Sequence, residues 1–213
     1  MVYNEIEIPR GGEFDLVLSD GTQVWLNAES RLRYPVEFSG KERKVVLEGE
    51  AYFQVKKNPS LPFRVEIRNQ VIEVLGTEFN VSGYKDEVHV YTTLVNGKVK
   101  VATTGRDMTL LPGEQCVLDT GDGSMIRQQA DVDKIISWKK GKFILEEQTL
   151  EQIMQKLARW YDITVFYQNP ALKNKVFKGS VPRYAELQQV LNILEKTGEV
   201  QFHIQNRTVI VKE

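Results

Sequence analysis

The sequence predicts a mostly β protein: an N-terminal all-β domain of the sandwich or solenoid-like kind, followed by a small α+β domain with duplicated α-β units. Short runs of alternating apolar and polar residues, separated by turn residues, fill the chain up to about residue 128, as is typical of all-β domains. Beyond Gly141 the apolar residues recur at helical spacing instead. We therefore predict an all-β domain at 1–128, a connector at 129–140 with one helical turn, and the α+β domain at 141–213.

Turn residues mark the strands of the all-β domain. Asp20–Gly21 stands between an alternating run and Gln23–Leu26, and Asp-Gly suits a two-residue β-hairpin because both central positions need positive φ. Asn96–Gly97 is a second such signal, between runs that start at Val88 and Val99. No window before about residue 130 keeps a helical period. Further strands are predicted at Lys44–Glu48, Glu50–Val55, Phe63–Ile67, Val71–Leu75 and Glu78–Val81.

Charge and hydropathy argue against two broad classes of protein. The 28 basic and 29 acidic side chains leave a net charge of −1, without the basic excess of a nucleic-acid-binding protein. The longest apolar runs are a few residues, far short of a membrane span, and no basic-then-apolar signal peptide opens the sequence. We expect a soluble chain without a targeting signal, which fits a cytoplasmic protein or a fragment whose targeting segment was cut away.

The C-terminal part contains two amphipathic helical patterns. Thr149 is a predicted N-cap, and Gln152 three positions later completes a capping box. The second pattern stops near Gly198, which can take the left-handed conformation that closes helices. The first apolar stripe is Leu150, Ile153, Met154, Leu157, Ala158 and Tyr161, and the second is Leu187, Val190, Leu191 and Leu194. The predicted strands are Ile163–Tyr167, Val176–Val181, Val200–Ile204 and Thr208–Lys212.

These two helical stretches also resemble each other. Leu150 matches Leu187 and Val165 matches Phe202, with the same offset of 37 residues through helix, turn and strand. Any two amphipathic helices followed by strands look somewhat alike, but the unbroken register favours a duplication. Two copies would place two helices on one face of a small sheet.

Side chains that could carry catalysis or bind a metal are few. Cys116 is the only cysteine, so an intramolecular disulfide and a thiol metal site are excluded, and its strand pattern predicts a buried, inert thiol. His89 and His203 alternate with apolar neighbours, so we expect both on the polar faces of strands. Asp119–Gly123 resembles a calcium loop only in composition, because no glutamate follows at the closing position, and predicts a hairpin turn.

Recognisable catalytic motifs are also missing from the sequence. It contains no dinucleotide fingerprint, no P-loop and no Gly-x-Ser-x-Gly. Glu48 and Glu50 could form a carboxylate pair across a bend at Gly49, but a strand interrupted by a glycine bulge is the favoured interpretation. We therefore expect a binding protein without catalytic residues, cofactor or metal, and an enzyme is the weakest of three hypotheses.

Three tryptophans keep a second hypothesis open. Trp25, Trp138 and Trp160 could stack on sugars, which would suit a carbohydrate-binding β-sandwich module. Packing in a core or between domains is the more common use of tryptophan, so this module is the alternative to a protein-binding one.

Several strings of residues are more specific than their strand patterns require. They are Leu18–Asn27, Leu47–Val55, Pro62–Val65, Val74–Val81, Leu94–Val99 and Leu111–Gln115. Their order and spacing resemble the FecR family, the anti-sigma regulators of cell-surface signalling in Gram-negative bacteria. The residues from Trp138 to Gly179 resemble the C-terminal domain typical of such proteins in Bacteroidetes. That domain is similar to the small secretin/TonB-type signalling fold, in keeping with the duplicated α-β unit.

This resemblance implies the periplasmic sensing and docking portion of a transmembrane anti-sigma factor. Such proteins read a TonB-dependent outer-membrane transporter through its signalling domain, and relay its state to an extracytoplasmic-function sigma factor. In the family a cytoplasmic N-terminal segment holds the sigma factor, and one helix anchors the protein in the inner membrane. We expect neither segment within these 213 residues, and we expect no contact with nucleic acid.

The predicted docking residues lie on the last strand. Thr208, Val209, Ile210 and Val211 are expected to form an exposed edge strand. A partner could add a strand of its own there and so satisfy the free backbone amides.

Overall fold

The structure, a computed structural model, describes residues 2–213, which form two compact units: the residues up to Ile136 and Ser137–Glu213. The first unit consists of strands and ends in a short helix, and the second combines strands with two longer helices. The prediction of a mostly β protein with a small helix-containing C-terminal part is confirmed. Among residues 2–213, no helix combines the length and the apolar character needed to cross a bilayer.

Within the described part of the first unit, residues 2–136, the structure has thirteen strands and one short helix. They are β1 (Tyr3–Ile8), β2 (Phe14–Val17), β3 (Gln23–Leu26), β4 (Ser30–Pro35), β5 (Arg43–Gln54), β6 (Phe63–Ile67), β7 (Gln70–Val74), β8 (Glu78–Gly83), β9 (His89–Asn96), β10 (Val99–Thr103), β11 (Arg106–Leu110), β12 (Glu114–Asp119), β13 (Met125–Gln129) and α1 (Val132–Ile135).

These strands form one branched sheet with β5 at its centre. The first half of β5 pairs with β4 and β6, and its second half pairs with β3 and β8. One arm continues through β6, β7, β10 and β11, and the other through β8, β9, β12 and β13. Because side chains alternate between the two faces of a strand, apolar side chains from both arms meet in one core, where Phe53 stacks on Phe79 at 5.2 Å.

Gly49 is the point at which β5 changes partners. Its φ is +90°, and a Cβ atom there would lie 2.4 Å from Ser30 Oγ and 2.8 Å from the carbonyl oxygen of Glu29. Only glycine permits both this backbone conformation and this close approach. The glycine interruption predicted for this strand is therefore the bend that lets one strand serve both arms.

The Asp20–Gly21 turn joins β2 to β3 in the predicted antiparallel hairpin. The connection is the loop 18–22, in which Gly21 has positive φ and Asp20 does not, so the turn is not the predicted two-residue type. The Asp20 carboxylate accepts hydrogen bonds from the backbone N–H and the hydroxyl of Thr22, at 3.0 and 2.7 Å. It also accepts one from Nη1 of Arg43 at 2.6 Å. Arg43 is 1% exposed and donates to the carbonyls of Leu61 and Lys56 as well. This buried arginine ties the hairpin turn to the loop between β5 and β6.

The hairpin predicted at Asn96–Gly97 is wrong. β9 ends at Asn96 and β10 starts at Val99. The two strands do not pair with each other, since β9 lies between β8 and β12 and β10 lies between β7 and β11. A Cβ atom at Gly97 would lie 2.9 Å from Thr77 Oγ1, and the Thr77 hydroxyl donates to the carbonyl of Lys98 at 2.9 Å. The glycine therefore forms a corner, packed on Thr77, where the chain passes from one arm of the sheet to the other.

The second unit begins within a 3₁₀ helix at Ile136–Lys140. Together with α1, this short helix accounts for the helical turn expected in the connector. The further elements are β14 (Lys142–Ile144), β15 (Gln148–Thr149), α2 (Leu150–Tyr161), β16 (Thr164–Tyr167), a 3₁₀ helix (Pro170–Asn174), β17 (Val176–Phe177), β18 (Ser180–Pro182), α3 (Leu187–Glu195), β19 (Gln201–Gln205) and β20 (Thr208–Lys212).

Helix α2 begins at the predicted capping box. Oγ1 of Thr149 accepts a hydrogen bond from the backbone N–H of Gln152 at 3.3 Å, and Oε1 of Gln152 accepts one from the N–H of Thr149 at 3.0 Å. These two bonds satisfy N–H groups that a helix start leaves without an intrahelical partner. The helix ends at Asp162, whose φ of +53° turns the chain into β16.

The predicted duplication is visible in the placement of the elements. α2 and α3 start at Leu150 and Leu187, and β16 and β19 start at Thr164 and Gln201, an offset of 37 residues in both cases. β20 lies between the two copies, parallel to β16 and antiparallel to β19. Apolar side chains from both helices and from one face of this sheet share a single core, so both helices lie on that face.

Candidate functional site

The polar groups that sequence reasoning singled out are spread over several strands. His203 on β19 is exposed, and His89 on β9 is half-exposed with its Nε2 3.5 Å from Asp119 Oδ2. Asp119–Gly123 forms the predicted turn between β12 and β13, in which Asp119 Oδ1 accepts the N–H of Gly121 at 2.7 Å. Within residues 2–213 no group of three or more His, Cys, Asp or Glu side chains is placed to hold a metal.

Cys116 lies on β12 with its side chain in the core of the first unit, 0% exposed. Burial raises the pKa of its thiol to about 11, because the thiolate would lose its hydration there. The thiol is therefore protonated at neutral pH and out of contact with solvent, as predicted for an inert cysteine.

The two glutamates around Gly49 are engaged separately. The Glu48 carboxylate forms an ion pair with Lys85 Nζ at 2.6 Å. The Glu50 carboxylate accepts hydrogen bonds from the side-chain amides of Asn27 and Asn80 at 2.7 and 3.0 Å. Each carboxylate thus joins β5 to a different neighbouring segment. These contacts favour the interpretation that Glu48 and Glu50 are structural residues of an interrupted strand over the interpretation that they form a catalytic pair.

The tryptophans pack against other side chains of their own units. The guanidinium carbon of Arg183 lies 3.9 Å from the ring centre of Trp160 and 5.6 Å from that of Trp138, at cation–π distances. Arg183 is 1% exposed, so two of the three tryptophans enclose a buried arginine. Trp25 meets Tyr52 edge to face at 5.6 Å. None of these contacts is the flat, exposed platform that stacking on a sugar would need.

One face of the three-stranded sheet in the second unit is open to solvent, and we call it the docking face. The register places Phe166, Ile210 and His203 side by side in one row, and Phe166 is 58% exposed. An apolar centre within a polar rim is the usual composition of a protein-binding surface. The remaining side chains of the docking face are Thr164, Gln201, Gln205, Thr208 and Lys212.

The prediction that Thr208, Val209, Ile210 and Val211 form an edge strand is wrong. They belong to β20, which has a hydrogen-bonded neighbour on each side, so these backbone groups already have partners. Val209 and Val211 are 0% exposed in the core, whereas Thr208 and Ile210 lie on the docking face. The sequence did not reveal this arrangement, because a parallel pairing between β16 and the last strand leaves no local signal.

The true edges of this sheet are β16 and β19. At β19 the backbone N–H of Phe202 donates to Oε1 of Glu195, the last residue of α3, at 2.7 Å. Sequence reasoning missed Glu195, since a half-buried glutamate at the end of an amphipathic helix has no distinctive pattern. The docking face and the β19 edge together can bind a protein segment.

Two protein families match parts of the chain. The family described as FecR protein matches residues 4–100, and the family described as FecR, C-terminal matches residues 142–211. The first match lies in the branched sheet, and the second extends from β14 to β20. No curated protein matches the chain.

Solved structures with a similar fold also exist. Crystal structures of a candidate anti-sigma factor from Parabacteroides distasonis, at 1.65 and 2.50 Å resolution, are similar to this chain with a TM-score of 0.90 and 28% sequence identity. The similarity to the 1.65 Å structure covers 99% of both chains. The likeness therefore includes both units.

Proposed function

The chain belongs to the FecR family, and we propose that it is the periplasmic sensing portion of an anti-sigma factor that reads a TonB-dependent outer-membrane transporter. Through this portion the state of the transporter would be relayed to an extracytoplasmic-function sigma factor. The observation that carries the proposal is the ordered pair of FecR matches at 4–100 and 142–211. The family is regulatory, so the chain acts by binding proteins and not by catalysis.

The second unit supplies the contact with the transporter in this proposal. Its docking face exposes Phe166 beside Ile210, and an exposed aromatic side chain inside a polar rim is a frequent anchor of protein interfaces. The partner is the signalling domain of the transporter. Docking would alter the strain or the exposure of the chain near the membrane, and that change would be the signal.

Binding of transporter signalling domains tests the proposal. Signalling domains from the genome that encodes this chain are purified and titrated into it by isothermal calorimetry. We expect one of them to bind in the micromolar range that is common for transient signalling contacts. If none of the signalling domains binds the chain, the proposed function is wrong.

Two substitutions of exposed apolar residues show which unit makes the contact. Phe166→Glu places a charge on the docking face, and Ile126→Glu places the same charge on β13 of the first unit, where the side chain is similarly exposed at 60% against 58%. We expect Phe166→Glu to weaken binding at least about tenfold, since a buried unpaired charge at an interface is costly. Ile126→Glu is expected to leave the affinity unchanged.

A further inference from the structure

Strand β19 presents free backbone groups at the edge of the sheet. In an antiparallel pair, successive residues direct their N–H and C=O groups alternately toward the partner strand and away from it. The N–H of Phe202 points away from β20, because it donates to Glu195. Ile204, two residues on, is therefore directed the same way. Among residues 2–213 no strand pairs with this outer side of β19.

The Glu195 carboxylate occupies the place that a carbonyl oxygen of an added strand would take. Its Oε1 atom lies 2.7 Å from the Phe202 nitrogen, a normal distance for a strand-to-strand hydrogen bond. Glu195 is the last residue of α3, where the helix dipole disfavours a negative charge. The bond to Phe202 compensates for that unfavourable position, and the carboxylate can swing away into solvent because the side chain is only half-buried.

The other copy of the α-β unit lacks this device. With the offset of 37 residues, Ala158 is the equivalent of Glu195 and Val165 is the equivalent of Phe202. An alanine methyl group cannot accept a hydrogen bond. Beyond β16 the chain turns into the 3₁₀ helix Pro170–Asn174, which contacts that strand. A carboxylate at this position is thus specific to the second copy of the unit.

We propose that the outer edge of β19 is a strand-addition site that Glu195 closes, and that an extended strand of the partner protein displaces the carboxylate when it binds. A carbonyl of the partner strand then accepts from Phe202, and further bonds form at Ile204. The polar side chains of Gln201, His203 and Gln205, all exposed on β19, would flank the added strand on the docking face. This inference rests on the proposed function, because the partner is the same signalling domain.

The test combines amide hydrogen exchange by NMR with calorimetry on the full chain. The variant is Glu195→Ala, and the matched control is Glu186→Ala, which removes one exposed glutamate from the opposite end of α3. In the free protein we expect Glu195→Ala to speed exchange of the Phe202 amide about tenfold, the effect of losing one charge-assisted hydrogen bond. The same variant should bind the transporter signalling domain about threefold to tenfold more tightly, since no carboxylate has to be displaced.

Glu195→Gln should fall between wild type and Glu195→Ala, because its amide oxygen still accepts a hydrogen bond without the charge. In the wild-type complex the amide of Ile204 should become protected from exchange. The inference is overturned if the signalling domain binds while Ile204 stays unprotected, or if Glu195→Ala binds no more tightly than Glu186→Ala. If no signalling domain binds wild type at all, the proposed function fails, and this inference fails with it.

Discussion

Single residues with unusual surroundings hold the first unit in its branched form. Gly49 bends β5 between the two arms, and Arg43 is a fully buried cation whose Nη1 reaches Asp20. The other terminal nitrogen of Arg43 is buried without a hydrogen-bond partner, and its guanidinium carbon lies 5.4 Å from the ring centre of Phe63. Removing only one partner of such a buried ion pair is costly, because the other charge stays buried without compensation. Residues of this kind therefore make the packing specific.

Replacing Gly49 with alanine should destabilise the first unit by about 2 to 4 kcal/mol. The added methyl group meets Ser30 Oγ at 2.4 Å, and the left-handed backbone conformation itself costs about 1–2 kcal/mol for a residue with a Cβ atom. Gly105→Ala is the control, because its φ is +82° but nothing lies within 4 Å of the added atom. Urea unfolding should show a loss of only about 1 kcal/mol for the control. Equal losses in both variants would refute the steric argument.

Burial of Cys116 predicts weaker stability at high pH. The thiol has a pKa of about 11 in the folded chain and about 8.5 when unfolded, so above pH 8.5 the unfolded chain gives up this proton first. Stability should therefore fall by about 1.4 kcal/mol per pH unit between the two pKa values. The measurement is urea unfolding of wild type and Cys116→Ala at about pH 8, 9 and 10.

Partly buried tyrosines add to this loss only near their ordinary pKa of about 10 and above, since burial is the main cause that raises the pKa of Tyr161 to about 12. The informative quantity is accordingly the difference between wild type and Cys116→Ala. The variant should lose stability less steeply as the pH rises. Parallel curves for the two proteins would show that the thiol is not the group responsible.

At the scale of elements, the two copies of the α-β unit differ at their helix starts. Thr149 caps α2 with its side chain, whereas Glu186, the equivalent residue in the second copy, caps α3 without a side-chain hydrogen bond. Both residues have the extended backbone conformation of an N-cap. Threonine, the N-cap residue of the first copy, should therefore also fit the N-cap position of the second copy.

Substitutions at these two N-cap positions should change the stability of the second unit in opposite directions. Thr149→Ala is expected to lower it by about 1 kcal/mol, and Glu186→Thr to raise it by about 0.5 to 1 kcal/mol. Thr164→Ala, on the docking face, serves as the control and should change it little. The helical far-UV circular dichroism signal follows the unfolding, because the two long helices both belong to this unit. A loss of stability in Glu186→Thr would contradict the comparison of the two copies.

Elements with local signals could be predicted from the sequence. The Asp20–Gly21 hairpin depends on neighbouring residues, and so does the capping box at Thr149. The corner at Gly97 and the central position of β20 depend instead on contacts with residues far away in sequence. For that reason the predicted site residues Thr208–Val211 lie on the central strand of their sheet and not on an edge.

At the scale of the whole molecule, the FecR matches cover the branched sheet and the small α+β unit in turn. Each unit has a core of its own. The first unit gathers the motif strings of the family, and the second offers the docking face and the β19 edge. This division is the reason for assigning the partner contact to the second unit.

Hydrogen–deuterium exchange of the full chain, with and without the transporter signalling domain that binds it, tests the proposed docking most directly. We predict that binding slows exchange in peptides covering β16, β19 and β20, and leaves the strands of the first unit unchanged. Slower exchange confined to the first unit, for example to β9, β12 and β13, would contradict the account.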